Sequence, residues 1–296
     1  PRTFRFINRA EGLVRGVWLG CKTRMEERFL PRAQGGALRL CICRAWEGAR
    51  SGAAGLLWMH GGGYATGIPE QDFAFIERFA ENGGCVVVAP DYRRSLEAPY
   101  PAALTDCYDA LLWMKAHAKE LGIREDQLFV GGDSAGGGLS AALCLYARDR
   151  GEAAVAFQIS LYPMLDDRAS ASMRGNDAPV WNEKSNRAAW ELYLSGHEGE
   201  APAYAAPARA KSLANLPPAC IYVGTIDPFY EEAKAYAARL SEAGVPVRFR
   251  AFEGCFHGFD ALCPASDVTK QARAFLGEAF GYARQHYFAP QPEGKD

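Results

Sequence analysis

The sequence has no apolar run long enough to cross a membrane and no segment with the pattern of a secretory signal. Its formal net charge is only −2 over 296 residues, so no excess of one sign predicts binding to nucleic acid or to anionic lipid. Internal repeats and low-complexity tracts are also missing. These absences favour a globular protein. The chain is long enough for one large domain or two small ones.

Disulfide scaffolds are disfavoured as well. Nine cysteines are an odd number, and no C-x-x-C pair occurs among them. Several fall inside predicted strands or helices, as small buried side chains do, so we interpret them as free thiols in a reducing, cytoplasmic compartment. Cys41 and Cys43 could suggest a metal site, but both lie on one face of a predicted strand, and core packing is the better interpretation.

What the sequence does contain is a regular alternation of buried strands and amphipathic helices. The predicted strands cover residues 37–44, 54–59, 85–90, 128–130, 155–161, 220–224 and 247–252. The predicted helices cover residues 73–81, 105–121, 139–146, 228–243 and 268–284. This alternation predicts an α/β fold with a mostly parallel sheet and helices on both faces. Functional side chains in such sheets lie at the carboxyl ends of the strands.

Two stretches interrupt the alternation. Residues 1–34 contain a basic amphipathic pattern that favours a helix. Residues 164–215 hold aromatic side chains and a predicted helix near 184–195 but no clean strand. We predict a single domain over residues 1–296, with a cap formed by about 1–35 and 164–215. A basic amphipathic helix could instead lie on a membrane, but packing over the main domain is the preferred alternative. Residues 290–296 are predicted to be disordered.

The segment around Ser134 carries the first chemical motif. The strand Leu128–Val130 leads into Gly132-Asp-Ser-Ala-Gly136, and a helical pattern begins directly afterwards. A sharp strand-to-helix turn exposes the serine, and glycines two residues away on each side avoid collisions with the neighbouring strand and helix. A phosphate-binding loop is the alternative, but no Lys followed by Ser or Thr completes it. The pattern therefore predicts a nucleophilic Ser134.

A serine hydroxyl needs a general base and a group that orients the base. Of the five histidines, His257 follows the last predicted strand in a glycine-containing loop, so we take it as the base. Asp227 follows the strand 220–224 and is our orienting acid, although Asp227-Pro228 could equally be the start of a helix. Glu253 and Asp260 are weaker candidates because they are close to His257 in sequence.

His60-Gly-Gly-Gly63 follows the strand 54–59 and supplies hydrogen-bond donors. Successive glycines let the backbone approach a substrate closely. We predict that the N–H groups of Gly62, Gly63 and Ala135 form an oxyanion hole, with His60 bracing the loop. A glycine turn without function is the alternative.

These motifs together resemble the hormone-sensitive-lipase-like branch of the α/β-hydrolases, in particular bacterial carboxylesterases. The resemblance rests on His60–Gly63, Gly132–Gly136, Asp227-Pro228 and His257-Gly-Phe259, and it runs from about residue 37 to 285. It implies an α/β-hydrolase fold with an eight-stranded, mostly parallel sheet and a helical cap, and a Ser134–His257–Asp227 triad. It also implies activity on short-chain acyl esters.

Two departures from the family pattern affect the expected substrate more than the reaction. The family usually continues Asp-Tyr-Arg with Leu-Ala-Pro-Glu, where this chain has Arg94-Ser-Leu-Glu97, and Gly138 stands where Asn is frequent. We place Tyr64, Asp133 and Trp181 beside the substrate.

The sequence thus predicts a serine carboxylester hydrolase that needs no metal and no cofactor. The expected partner is a small ester, not nucleic acid or a membrane, and a homodimer stays open. An arylformamidase or other amidase with the same triad is the first alternative. The second is an inactive member of the fold that only binds a ligand.

Overall fold

The computed structural model describes residues 2–47, 52–81 and 84–292, and its centre is one eight-stranded sheet. The strands are β1 Thr23–Pro31, β2 Ala37–Ala45, β3 Ala53–Met59, β4 Val86–Asp91, β5 Ile123–Asp133, β6 Phe157–Leu161, β7 Ala219–Gly224 and β8 Val247–Phe252. Their order across the sheet is β1-β2-β4-β3-β5-β6-β7-β8. The pairs β1–β2 and β2–β4 are antiparallel and all others are parallel, which confirms the mostly parallel sheet.

Helices cover both faces of the sheet. They are α1 Arg2–Val14, α2 Phe73–Glu81, α3 Ala102–Ala116, α4 Ala118–Leu121, α5 Ala135–Arg150, α6 Glu183–Tyr193, α7 Tyr230–Glu242, α8 Phe259–Leu262 and α9 Asp267–His286. Helices α2 and α9 meet through Phe79 and Phe280, whose ring centroids are 4.8 Å apart, while α3 packs against α5. The central strands β3, β4 and β6 are buried along their whole length, as expected for a sheet covered on both faces.

The prediction that residues 1–35 belong to a cap is wrong for its second half. Helix α1 ends at Val14, and Thr23–Pro31 form the edge strand β1, paired with β2 through a turn at Gly35 and Gly36. Most of the side chains of β1 are exposed, and four of its nine residues are charged. Charged side chains protect an edge strand from further pairing, and they also make the strand resemble a solvated helix in sequence.

The segment 164–215 contains helix α6, a short 3-10 turn at Pro207–Arg209 and no strand. Its aromatic side chains reach the loops at the carboxyl ends of the strands, since Tyr193 stacks on Tyr64 with ring centroids 3.9 Å apart. The predicted helix at 184–195 is therefore present as α6. Its location over this edge of the sheet supports our proposal that 164–215 serves as a cap.

All nine cysteines are unpaired in the described part of the chain, and seven are buried, Cys41 and Cys43 among them. The predicted disorder of the tail is wrong for residues 290–292, because Gln291 bonds to the backbone of Glu125 and Ala154. Residues 293–296 lie outside the described residues. No helix among residues 2–47, 52–81 and 84–292 has the length and apolar character needed to span a bilayer.

Candidate active site

Ser134 occupies the single residue between the end of β5 and the start of α5. Its backbone has φ 54° and ψ −118°, a region that residues other than glycine seldom adopt. A Cβ atom added at Gly132 or at Gly136 would overlap the carbonyl oxygen of Met59 on the neighbouring strand. The two flanking glycines are thus needed for the close packing of strand and helix that forces the turn.

Two distant loops bring His257 and Asp227 to this serine. The Nε2 atom of His257 lies 2.8 Å from the hydroxyl oxygen of Ser134, and its Nδ1 atom lies 2.8 Å from Oδ2 of Asp227. A carboxylate can only accept a hydrogen bond, so the neutral imidazole carries its proton on Nδ1. The lone pair of Nε2 then faces the hydroxyl proton of Ser134, as a general base requires.

The three side chains are enclosed. Asp227 is fully buried, and the exposed fractions of Ser134 and His257 are 4% and 5%. The rings of Tyr162 and Phe229 contact the imidazole edge to face, with centroids 4.9 Å and 5.1 Å from it. The sequence did not single out either ring as a site residue, although Tyr162 follows β6 and Phe229 follows Asp227-Pro228 at strand ends.

Gly62 and Gly63 form the loop after β3. Their φ angles are +119° and +61°, in the region that favours glycine, and the loop is closed by hydrogen bonds from Ala65 and Thr66 to the carbonyl of Gly62. No described residue accepts a hydrogen bond from the N–H of Gly62, Gly63 or Ala135. Ala135 is the first residue of α5, where backbone donors have no partner within the helix and the helix dipole is positive.

His60 braces this loop, as predicted from its position. The imidazole stacks on Tyr92 with centroids 4.1 Å apart, and its Nδ1–H donates to the carbonyl of Gly61 at 2.8 Å. Complete burial lowers the pKa of His60 to about 4. The ring therefore stays neutral at physiological pH and acts by packing.

Helix α1 holds the same loop from the other side, a role that the sequence did not reveal. The side-chain amide of Asn8 donates to the carbonyl of Ala65 at 3.0 Å, and both carboxylate oxygens of Glu11 accept from the N–H of Gly67 at 3.0 Å. The first half of the predicted N-terminal cap thus contacts the glycine loop. No local pattern marks these partners, because each bond joins residues more than 50 positions apart.

Two residues that we placed beside the substrate occupy positions that favour supporting roles. Tyr64 is buried, and its hydroxyl donates to the carbonyl of Met164 at 3.0 Å. The carboxylate of Asp133 lies against Gly61, where an added Cβ would be 2.6 Å from Oδ2. Burial, together with the charge of the neighbouring Asp72, raises the pKa of Asp133 well above its usual range.

The other acidic candidates do not reach the histidine. Glu253 is exposed to solvent, and Asp260 accepts a hydrogen bond from Tyr222. Trp181, the third residue predicted beside the substrate, does lie at the site: its ring centroid is 6.2 Å from that of His257, and its six-membered ring packs against Gly63.

An eight-stranded sheet of this order, with a serine at a strained strand-to-helix turn and a histidine after the last strand, defines an α/β-hydrolase. Comparison with known proteins agrees, since residues 56–261 match the family described as having the α/β-hydrolase fold. The chain belongs to this family, in its hormone-sensitive-lipase-like branch.

Several named relatives are esterases. The chain is 36% identical to Esterase LipI of Mycobacterium tuberculosis over 208 residues, which are 69% of this chain and 65% of LipI. It is 33% identical to Carboxylesterase NlhH of the same species over 234 residues, which are 76% of this chain and 73% of NlhH. A solved structure named Bacterial Heroin Esterase superposes with a TM-score of 0.88 at 33% identity, covering 95% of this chain and 93% of that one.

Proposed function

We propose that this protein is a serine carboxylester hydrolase that acts on short-chain acyl esters through Ser134, His257 and Asp227. The observation that carries the proposal is the continuous chain of two hydrogen bonds, each 2.8 Å long, from Ser134 through His257 to Asp227. The esterase relatives support the same reaction class, since two of them share at least 33% of their residues with this chain over more than 200 positions.

In the first half of the reaction, Oγ of Ser134 bonds to the ester carbonyl carbon while its proton moves to Nε2 of His257. Asp227 stabilises the imidazolium that forms. The carbonyl oxygen becomes an oxyanion. The donors that we assign to it are the N–H groups of Gly62, Gly63 and Ala135, which have no acceptor among the described residues. Each such donor is worth about 3–4 kcal/mol in the transition state. The C–O bond then breaks, and His257 returns the proton to the leaving alcohol.

In the second half, water replaces the alcohol. His257 takes a proton from this water as it attacks the acyl-enzyme, and the imidazolium then protonates Oγ of Ser134 as the acid leaves. Each proton that His257 accepts is returned within the same half, so the cycle restores the starting enzyme without a cofactor.

The proposed reaction is tested with Ser134→Ala and p-nitrophenyl acetate. We expect kcat to fall at least about 10³-fold, as is usual for removal of the nucleophile of a triad. Ser140→Ala, in the helix that follows the site, is the matched control and should keep full activity. Undiminished turnover by Ser134→Ala would exclude this serine as the nucleophile.

Esters and activated amides share a tetrahedral intermediate, so the substrate class needs a separate measurement. Comparison of kcat/KM for N-formylkynurenine and for acetyl esters distinguishes an arylformamidase from an esterase. A fluorophosphonate probe reports the nucleophile whatever the substrate. Absence of labelling at Ser134 would favour a protein that binds a ligand without hydrolysing it.

A further inference from the structure

The indole of Trp181 covers the space next to the glycine loop. A Cβ atom added at Gly63 would overlap Cη2 of the indole and would lie 3.0 Å from Cζ2. The indole also lies near Phe229 and His257, whose ring centroids are 6.5 Å and 6.2 Å from its own. The ring thus bridges the two loops between which an ester has to bind.

The indole of Trp181 leaves little room for a substrate next to the hydroxyl of Ser134. A carbonyl carbon has to come within about 3–3.5 Å of the serine oxygen before reaction, yet only 4% of Ser134 is exposed. Tyr162 and Phe229 also enclose the site, but both are 1% exposed or less and follow strands of the sheet. Trp181 is 8% exposed and lies far from β6 along the chain, near the end of a long stretch, 163–182, that forms neither helix nor strand.

The backbone directly before the indole is strained. The N–H of Trp181 donates to the carbonyl of Pro179 at 2.9 Å across Val180, whose φ is +73°. A hydrogen bond between residues i and i+2 with positive φ at the central residue is the rare form of the γ-turn. A β-branched residue is among the least suited to positive φ, so this turn stores strain that an outward rotation of the segment would release.

The indole itself is held by a weak polar contact. Its Nε1–H donates to Oδ1 of Asn186 at 3.4 Å, longer than the usual 2.7–3.2 Å of such bonds. The contacts of the indole with Gly63, Phe229 and His257 are packing contacts and not hydrogen bonds. The turn is strained and the hydrogen bond that holds the indole is weak. A ligand can therefore displace the indole at a low cost in free energy.

We propose that Trp181 sets the size of the ester that the site accepts, and that its indole turns outward when a larger apolar group enters. In the closed position only a small acyl group, of the acetyl class, fits beside Gly63. A longer acyl chain has to displace the indole and then takes over its apolar contacts. This inference rests on the proposed esterase function and adds the residue that limits its substrate.

The test compares p-nitrophenyl acetate with p-nitrophenyl octanoate. In Trp181→Ala, the ratio of kcat/KM for octanoate to kcat/KM for acetate should rise at least about tenfold over that of the wild type. Trp181→Leu keeps an apolar side chain but withdraws the ring from Gly63, and we expect a smaller rise in the same direction. Trp46→Ala, at an exposed tryptophan, should leave the ratio unchanged.

The two Trp181 variants are first labelled with a fluorophosphonate probe, so that only folded, reactive enzyme is counted. If Trp181→Ala does not fold, Trp181→Leu decides the question alone. Ratios within about twofold of the wild type in the folded variants would overturn the proposal. A wild type that neither labels nor hydrolyses acetate would instead overturn the proposed function.

Displacement of the indole has a readout of its own. Octyl phosphonylation of Ser134 should shift the tryptophan emission of the wild type to longer wavelength, because Trp181 moves from a buried position toward water. Methyl phosphonylation should not, and neither should octyl phosphonylation of Trp181→Leu. An identical shift in wild type and Trp181→Leu would show that the indole stays in place and would overturn the proposal.

Discussion

The carboxylate of Asp227 divides its two oxygens between His257 and the backbone. Oδ2 lies 2.8 Å from Nδ1 of His257, and Oδ1 accepts the N–H of Phe229 at 2.8 Å. In the sequence, orienting the base and starting a helix were competing interpretations of this aspartate. The structure gives one oxygen to His257 and the other to the turn before α7, which begins only at Tyr230, and complete burial of the side chain fixes both contacts. The two contacts can therefore be separated by substitution.

Asp227→Asn should remove the proposed catalytic contact and keep the structural one. The asparagine oxygen can still accept from Phe229, and its NH₂ group then faces Nδ1 of His257. A donor at that position favours the tautomer with the proton on Nε2, which cannot act as a base toward Ser134. We expect kcat to fall about 10⁴-fold, as in the known Ser-His-Asp template. Activity assays with p-nitrophenyl acetate check the loss.

Asp227→Ala is the companion variant because it loses both contacts. We expect a similar loss of kcat and, in addition, a free energy of unfolding lower than that of Asp227→Asn by about 1–3 kcal/mol, since the buried N–H of Phe229 loses its acceptor. Urea unfolding measures the difference. Equal stability of the two variants would show that the contact of Oδ1 with Phe229 contributes nothing.

Gly136 and Gly277 have opposite predicted responses to substitution by alanine. At Gly136 a Cβ would overlap the carbonyl of Met59 and lie 2.7 Å from that of His60, both parts of a backbone that cannot yield. We expect Gly136→Ala to lower the free energy of unfolding by about 3 kcal/mol or more and to reduce activity.

Gly277, in the middle of α9, has no atom within 4 Å of an added Cβ. Gly277→Ala should therefore raise the free energy of unfolding by up to about 1 kcal/mol, because alanine is the better helix former. Denaturant titration of both variants and the wild type gives the comparison. A Gly136→Ala protein as stable as Gly277→Ala would contradict the close packing at the serine turn.

The core of the site could be predicted from sequence because its signals are local. Gly132–Gly136 combines a strand, a serine and a helix within a few residues, and His60–Gly63 and the loop of His257 each follow a strand directly. In a parallel sheet, strand ends meet at one edge, so residues far apart in sequence were correctly expected to lie together.

What could not be predicted depends on contacts between distant segments. Strand β1 carries charged side chains because it lies at an edge, and only its pairing with β2 identifies it as a strand. Asn8 and Glu11 support the glycine loop from a helix whose sequence indicates only an amphipathic surface. Residues 164–215 stand out in the sequence because they lack a clean strand, but the contact of Trp181 with Gly63 requires the folded loop.

Arg39 is the centre of a cluster of charged side chains, and its own side chain is buried. Its guanidinium donates to Glu70 at 2.6 and 3.0 Å, to Asp91 at 2.9 Å and to Glu27 at 2.7 Å. Replacement by methionine keeps the apolar stem but removes the guanidinium from two buried carboxylates, of which Asp91 keeps its ion pair with Arg15 and Glu70 keeps the N–H of Gly16. We expect Arg39→Met to lower the free energy of unfolding by about 3 kcal/mol.

The matched control is Arg44→Met in the same strand. Arg44 reaches a half-exposed Glu26 at 3.4 Å, and such a pair contributes about 1 kcal/mol or less. The further substitution Glu70→Gln should recover part of the loss caused by Arg39→Met, because it removes one of the unpaired charges. Similar stability of Arg39→Met and Arg44→Met would argue against a structural role for the cluster.

Glu232 predicts a pH dependence of stability. It is buried in α7; Oε1 accepts the N–H of Leu165 at 2.7 Å, and Oε2 has no partner among the described residues. Burial raises the pKa of this carboxyl well above its ordinary value, so the folded protein holds a proton that the unfolded chain releases near pH 4.3. Its contribution to stability is complete below that pH and is lost as the pH rises through the folded-state pKa.

Glu232→Gln has no proton to lose and keeps an oxygen for Leu165. Its free energy of unfolding relative to the wild type should therefore increase between pH 5 and pH 8 by at least about 1 kcal/mol. Urea unfolding at both pH values measures this change, with Glu231→Gln, the less buried neighbour, as the control. Parallel pH profiles for Glu232→Gln and the wild type would mean that the carboxyl is already ionised in the fold and that burial is compensated by a contact not seen around Oε2.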